Sequence, residues 1–211
     1  MIAPAERLLR GDVTALPSTK ALLAIGAIGG GLVGVALGAS SGEVLLAVYA
    51  AIKVPLLLVA TTCLCLPSFY VLNAVLGLRD DFAAALRGMF AAQATLGLVL
   101  GALAPLFVFH PLTFANPYTV TLVDALLFAC ATFGAQQVLA RHYRPLIARD
   151  PRHRRALYAW LVLYAFAAIQ AAWVLRPFRG TVGFAVEFVR PEAFEQNAYV
   201  VLFEHLLRMW R

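Results

Sequence analysis

Residues 44–77 read VLLAVYAAIKVPLLLVATTCLCLPSFYVLNAVLG, with Lys53 as the only charge. As one helix the stretch would measure about 50 Å, well beyond the roughly 30 Å hydrocarbon core that about 20 apolar residues cross. It is too long and too apolar for the half-buried helix of a soluble domain. A membrane span from Val54 to Leu76 fits it, preceded by an interfacial or tilted lead-in over Val44–Ile52 from which Lys53 snorkels toward the headgroups. Pro55 falls in the first turn of that span and Pro67 in its middle, where it should kink the helix and free the carbonyl near Cys63.

Outward from this stretch the pattern repeats. Four more segments are long and apolar enough to cross: 21–39, 89–109, 119–140 and 156–175. Turn residues separate them, namely Ser40-Ser41-Gly42, Gly77 with Arg79-Asp80-Asp81, Pro111 with Asn116-Pro117, and Pro151. The whole chain of 211 residues is 62% hydrophobic and 13% charged, against about 25% charged in soluble domains. The reading is therefore an all-α polytopic bundle: a cytoplasmic segment over 1–20, a five-span domain over 21–175 and a tail over 176–211. In the tail, Pro191, Glu192 and Glu195 resemble a helix start, and Phe194, Tyr199, Leu202, Phe203, Leu206 and Trp210 recur at near-helical spacing. An interfacial amphipathic helix over 191–211 is expected, because Glu204, His205 and Arg208 interrupt the apolar run.

Positive charge orients such a bundle. Three Lys or Arg precede span 1, two lie in 77–88 and six in 141–155. The loop between spans 3 and 4 has none, nor has the loop after span 1 once Lys53 is counted with its helix. The N-terminus and the loops 77–88 and 141–155 are thus expected in the cytoplasm and the C-terminus outside. The five Arg of the tail are the discordant feature. The net charge of +6 follows this loop distribution and excludes nucleic acid as a partner. Of 17 basic residues only Lys20 and Lys53 are Lys, a bias that suggests a GC-rich bacterial genome and hence the plasma (inner) membrane. The first twenty residues lack the apolar region of a signal peptide, so no cleavage is expected within them.

Asp124 is the one acid inside a span, and it requires a partner or hydration at that depth. Lys53 and Gln170 fall in the same outer half, so Lys53, Asp124 and Gln170 are the candidate polar site, with Lys53 and Asp124 expected to interact. Gly26, Gly30, Gly34 and Gly38 form overlapping G-x-x-x-G steps that let backbones approach closely, either within the chain or in a homodimer. Gly29, Gly31 and Gly34 match the letters of a dinucleotide fingerprint, but no strand precedes them. Asn73, Gln93, Gln136 and Gln137 reach similar depth at the cytoplasmic side and suit interhelical hydrogen bonds. Cys63 and Cys65 point about 200° apart on a helix and read as buried inert thiols, and all three cysteines, Cys130 included, fall inside apolar runs that exclude a disulfide framework or a zinc knuckle. No metal site, cofactor motif, P-loop or catalytic triad is visible.

The run Lys53-Val54-Pro55-Leu56, then Leu66-Pro67-Ser68-Phe69-Tyr70, Asn73 and Gly77, followed by a small-residue span closing on Ala104-Pro105, resembles the middle of Yip-type (Ypt-interacting) five-span membrane proteins. The run from Trp173 to Phe178 is similar to uncharacterised bacterial polytopic proteins. The Yip-type resemblance implies a cytoplasmic N-terminus and a membrane-organising or partner-binding role without catalysis. The expected function is accordingly a non-enzymatic membrane protein in the lipid bilayer that scaffolds or binds another membrane component or a second copy of itself. The alternative is a small transporter or channel subunit using the Lys53, Asp124 and Gln170 site.

Overall fold

The computed structural model describes residues 8, 16–40, 42–114, 116–180, 186–194 and 197–200, without the side chains of 117, 118, 191 and 192. Five helices follow one another: α1 (Thr19–Ala39), α2 (Val44–Val75), α3 (Phe82–Thr113), α4 (Pro117–Arg149) and α5 (Arg152–Leu175). Short 3₁₀ turns occupy Arg79–Asp81 and Pro191–Phe194, and the described residues contain no strand. All five helices are long and apolar enough to cross a membrane. The chain thus has the architecture of a multi-pass membrane protein.

Local chemistry explains the ends. Ser18 caps α1, its hydroxyl accepting from the Ala21 amide at 3.3 Å. Gly42 and Gly77 follow the ends of α1 and α2 at φ 77° and 72°. Only glycine takes that left-handed geometry without strain, and it lets the Gly77 and Leu78 amides bond back to Ala74 and Asn73. α2 passes through Pro55 and Pro67 as one helix. The lead-in over Val44–Ile52 is thus continuous with the span, and flanking helices support the backbone where each proline withholds an N–H.

α1 lies against α2 and α3, α3 against α4, α2 against α5, and α5 more lightly against α4, so the helices close a ring. Small residues set the closest approaches. A Cβ at Gly29 would overlap the Gly97 carbonyl, and one at Gly97 would overlap that of Gly26. A Cβ at Gly101 would stand 2.9 Å from the Gly29 Cα. These pairings advance together along both chains, so α1 and α3 run parallel. Gly30, Gly34 and Gly38 meet Pro55, Ala50 and Ala47, so α1 and α2 run antiparallel. Packing of this kind, rather than removal of apolar surface from water, holds helices together in lipid.

One core cluster centres on Phe69, Met89, Leu139, Tyr143 and Trp160. Phe69 and Trp160 meet edge to face with centroids 5.2 Å apart. At the same end Asp81 binds Arg149 at 2.8 Å and the fully buried His153 at 3.1 Å, which joins the α2–α3 turn to the α4–α5 turn. Arg152 bonds Asp150 and also donates to the Leu76 carbonyl at the end of α2. Its side-chain and backbone bonds hold the half-buried Asp150 carboxyl below the usual carboxylate range.

The second cluster, with Val33, Val54, Leu100 and Phe107, lies toward the other end and takes in Phe178 from beyond α5. Here α5 is short. The bond from the Cys65 thiol to the Leu163 carbonyl and that from Arg152 to Leu76 set an antiparallel register that brings Leu175 level with Lys53. α2 continues nine further residues to Val44, about 13 Å. The segment after α5 fills the corner left open. Of the amphipathic helix expected over 191–211, only a 3₁₀ turn at Pro191–Phe194 and helical residues 198–200 are described; the rest lies outside the described residues.

Candidate functional site

At this end the segment that follows α5 acts as a strap, and Lys53, Asp124 and Gln170 each bond to it. Asp124, two turns into α4, accepts a forked pair of bonds from Arg179, Nε to Oδ2 at 3.0 Å and Nη2 to Oδ1 at 2.9 Å. This is the planar bidentate geometry that makes guanidinium–carboxylate pairs strong. His110 Nε2 lies 3.1 Å from the same Oδ1, and its Nδ1 faces the Leu106 carbonyl at 2.8 Å. Arg179 also donates to the Phe107 carbonyl at 3.2 Å and to the Ser40 hydroxyl. One guanidinium therefore joins the C-terminal ends of α1 and α3 to the start of α4.

Lys53 is fully buried, and its ammonium donates to the carbonyls of Pro177 at 2.8 Å and Glu187 at 3.3 Å. It does not snorkel. The segment after α5 covers it and supplies acceptors, with the Phe188 ring 5.3 Å from Nζ. Phe188 in turn meets Tyr49 edge to face at 5.3 Å. Gln170 accepts from the Ala198 amide at 3.2 Å. Tyr199 stacks on Phe166 at 4.4 Å and donates to the Phe166 carbonyl.

The three candidate site residues are thus brought to one end of the bundle but not to each other. The Lys53–Asp124 interaction expected from the sequence is replaced by two separate bonds to the strap, because an Arg with five donors reaches Asp124 first. Tracing the positive surplus of the tail to an intramembrane acid would have identified Arg179. His110 was recoverable too, since a short turn between antiparallel α3 and α4 brings it opposite the first turns of α4.

The remaining polar candidates also stay apart. Asn73 Nδ2 donates to the Phe69 carbonyl of its own helix at 2.8 Å, and Gln93 accepts from the Tyr164 hydroxyl at 3.1 Å. Asn73 Oδ1 and Gln136 Oε1 are buried without a donor. The glycine stripe divides between two neighbours: Gly30, Gly34 and Gly38 turn to α2, while a Cβ at Gly26 would stand 3.5 Å from the Gln93 carbonyl of α3. Gly29, Gly97 and Gly101 complete that second seam, and none of them belongs to the stripe. Cys65 is buried as expected, but Cys63 is exposed on the bundle surface, which corrects its reading as a buried thiol, and Cys130 is exposed too. No group of His, Cys, Asp or Glu that could hold a metal ion occurs among the described residues.

The fold and this end define a helical multi-pass membrane protein in which the segment after the fifth span is bonded back onto the bundle. No protein-family model, curated protein or solved structure matches the chain.

Proposed function

We propose that this is a non-catalytic protein of the bacterial plasma membrane, with its N-terminus in the cytoplasm, that holds its C-terminal segment against the outer end of the bundle and presents it to another membrane component. One observation carries the reading: Lys53, Asp124 and Gln170, the intramembrane groups best suited to transport, are each engaged in binding that segment. A carboxylate whose oxygens both bind an Arg is a structural latch. The Yip-type resemblance implies the same kind of role.

The test has two arms. A photo-reactive residue in place of the exposed Glu187 should give a discrete cross-linked species in native membranes, and Arg179→Leu, by freeing the strap, should abolish it. Proteoliposomes containing a pH-sensitive dye should show no proton or alkali-cation flux above empty vesicles. A flux that requires Asp124, with no cross-linked species, would establish the transporter or channel reading instead.

A further inference from the structure

Beneath the strap, beside the Asp124 latch, lies a second cluster whose chemistry is one-sided. Lys53, whose ammonium reaches the Pro177 and Glu187 carbonyls, shares it with Arg176, the residue before Pro177, and with Arg190, three residues past Glu187. The Arg176 guanidinium stands 2.9 Å above the Trp173 ring. Burial, and after it Arg190, pull that guanidinium down to about 10, so it remains a cation at neutral pH. Nε of Arg176, Nε of Arg190 and Nε1 of Trp173 are all buried with no acceptor. Every one of these atoms is a donor.

Among the described residues, no acid is bonded to the cluster, and Glu43 at the start of α2 is exposed. Asp124 is engaged by Arg179, and Glu187 offers Lys53 its carbonyl while its side chain is exposed. A buried donor without a partner costs about 1–3 kcal/mol, and grouped cations repel in addition. Such a cluster is stable when an anion with several acceptor oxygens enters it. The guanidinium fork matches phosphate and carboxylate, and a Trp followed by Arg at the end of a span is where headgroup phosphates lie. We propose that Lys53, Trp173, Arg176 and Arg190 form a binding site for a phosphate-class oxyanion, presented as a lipid headgroup or as a free ion. The site is independent of whether the strap meets a partner.

The full chain, purified in detergent free of anions, is melted alone, with inorganic phosphate and in nanodiscs of phosphatidylcholine with or without phosphatidylglycerol; retained lipid is read by native mass spectrometry. A melting point raised by phosphatidylglycerol with retained lipid identifies the headgroup, and one raised by inorganic phosphate alone identifies the free ion. Either response should fall at least tenfold in apparent affinity in Arg176→Gln and Arg190→Gln. The variants also discriminate by sign. Without an anion, Arg190→Gln relieves repulsion and should melt higher than wild type; with the anion bound it should melt lower. The proposal is overturned if neither probe shifts the melting point, or if Arg190→Gln leaves the response intact.

Discussion

Replacing Gly29 by Ala tests the tightest seam of the bundle with one methyl group. The added Cβ would overlap the carbonyl of Gly97 and stand 3.0 Å from the Leu98 nitrogen. These are backbone atoms, with no rotamer to move aside. To restore van der Waals distance α1 and α3 must part by on the order of 1.5 Å, at a seam packed to the density of a crystal. A radial gap of 0.5–1 Å already forfeits a quarter to a half of each dispersion contact, and the Gly26–Gly97 and Gly29–Gly101 approaches are lost with it. Overpacking of this kind costs about 1–3 kcal/mol, while Ala returns up to about 1 kcal/mol of helix propensity. Gly134, in α4, has nothing within 4 Å of its Cβ position, so Gly134→Ala carries the propensity gain alone. The propensity gain is common to both, so the two variants should differ by the overpacking cost, about 1–3 kcal/mol, in SDS-titrated unfolding followed by circular dichroism. Gly31→Ala, with its nearest atom at 3.7 Å, should group with Gly134→Ala. Equal stability of Gly29→Ala and Gly134→Ala would refute the close parallel crossing.

Arg179→Leu and Asp124→Leu should each lose about 2–4 kcal/mol, and together less than their sum, because each alone strands a partly buried charge; additive losses in the same titration would show the pair to be independent. Lys53→Met leaves the Pro177 and Glu187 carbonyls without a donor, so a Cys placed at Phe178 in a cysteine-free background should label faster; an unchanged rate would mean the strap is held without Lys53. Asp81→Asn should cost about 1–2 kcal/mol, since it removes the carboxylate shared by Arg149 and His153, and an unaltered unfolding midpoint would dismiss that clasp. A reporter fused after Arg211 should be active only outside the cytoplasm, in keeping with eleven Lys and Arg in the expected cytoplasmic segments; cytoplasmic activity would invert the topology.

The helical architecture was legible because it depends on run length, and residues 44–77 admit no soluble reading. The turns were legible for the same local reason: Gly42 and Gly77 sit where a left-handed backbone is needed. Pairing within the bundle was not. Gly26, Gly30, Gly34 and Gly38 lie along one stripe, yet α1 wedges between two neighbours and divides them, and which neighbour takes Gly26 depends on the position of Gly97, 71 residues away. A sequence period gives the face of a helix and leaves its partner open.

The site was misread for a related reason. Lys53 and Asp124 were matched by depth and opposite charge, under the assumption that groups within spans find partners within spans. By sequence alone the tail is a surface element whose five Arg oppose the charge rule. Those two anomalies bear on each other. The charge rule counts residues that face the aqueous side during insertion, whereas Arg179 is bonded to an intramembrane carboxylate and the Nε atoms of Arg176 and Arg190 are buried. A guanidinium folded back into the bundle neutralises an acid there and so differs from one left in water. An unexplained acid in a span and an unexplained Arg beyond α5 are then two halves of one interaction, and α5, which at this end stops nine residues short of the start of its neighbour α2, makes room for it.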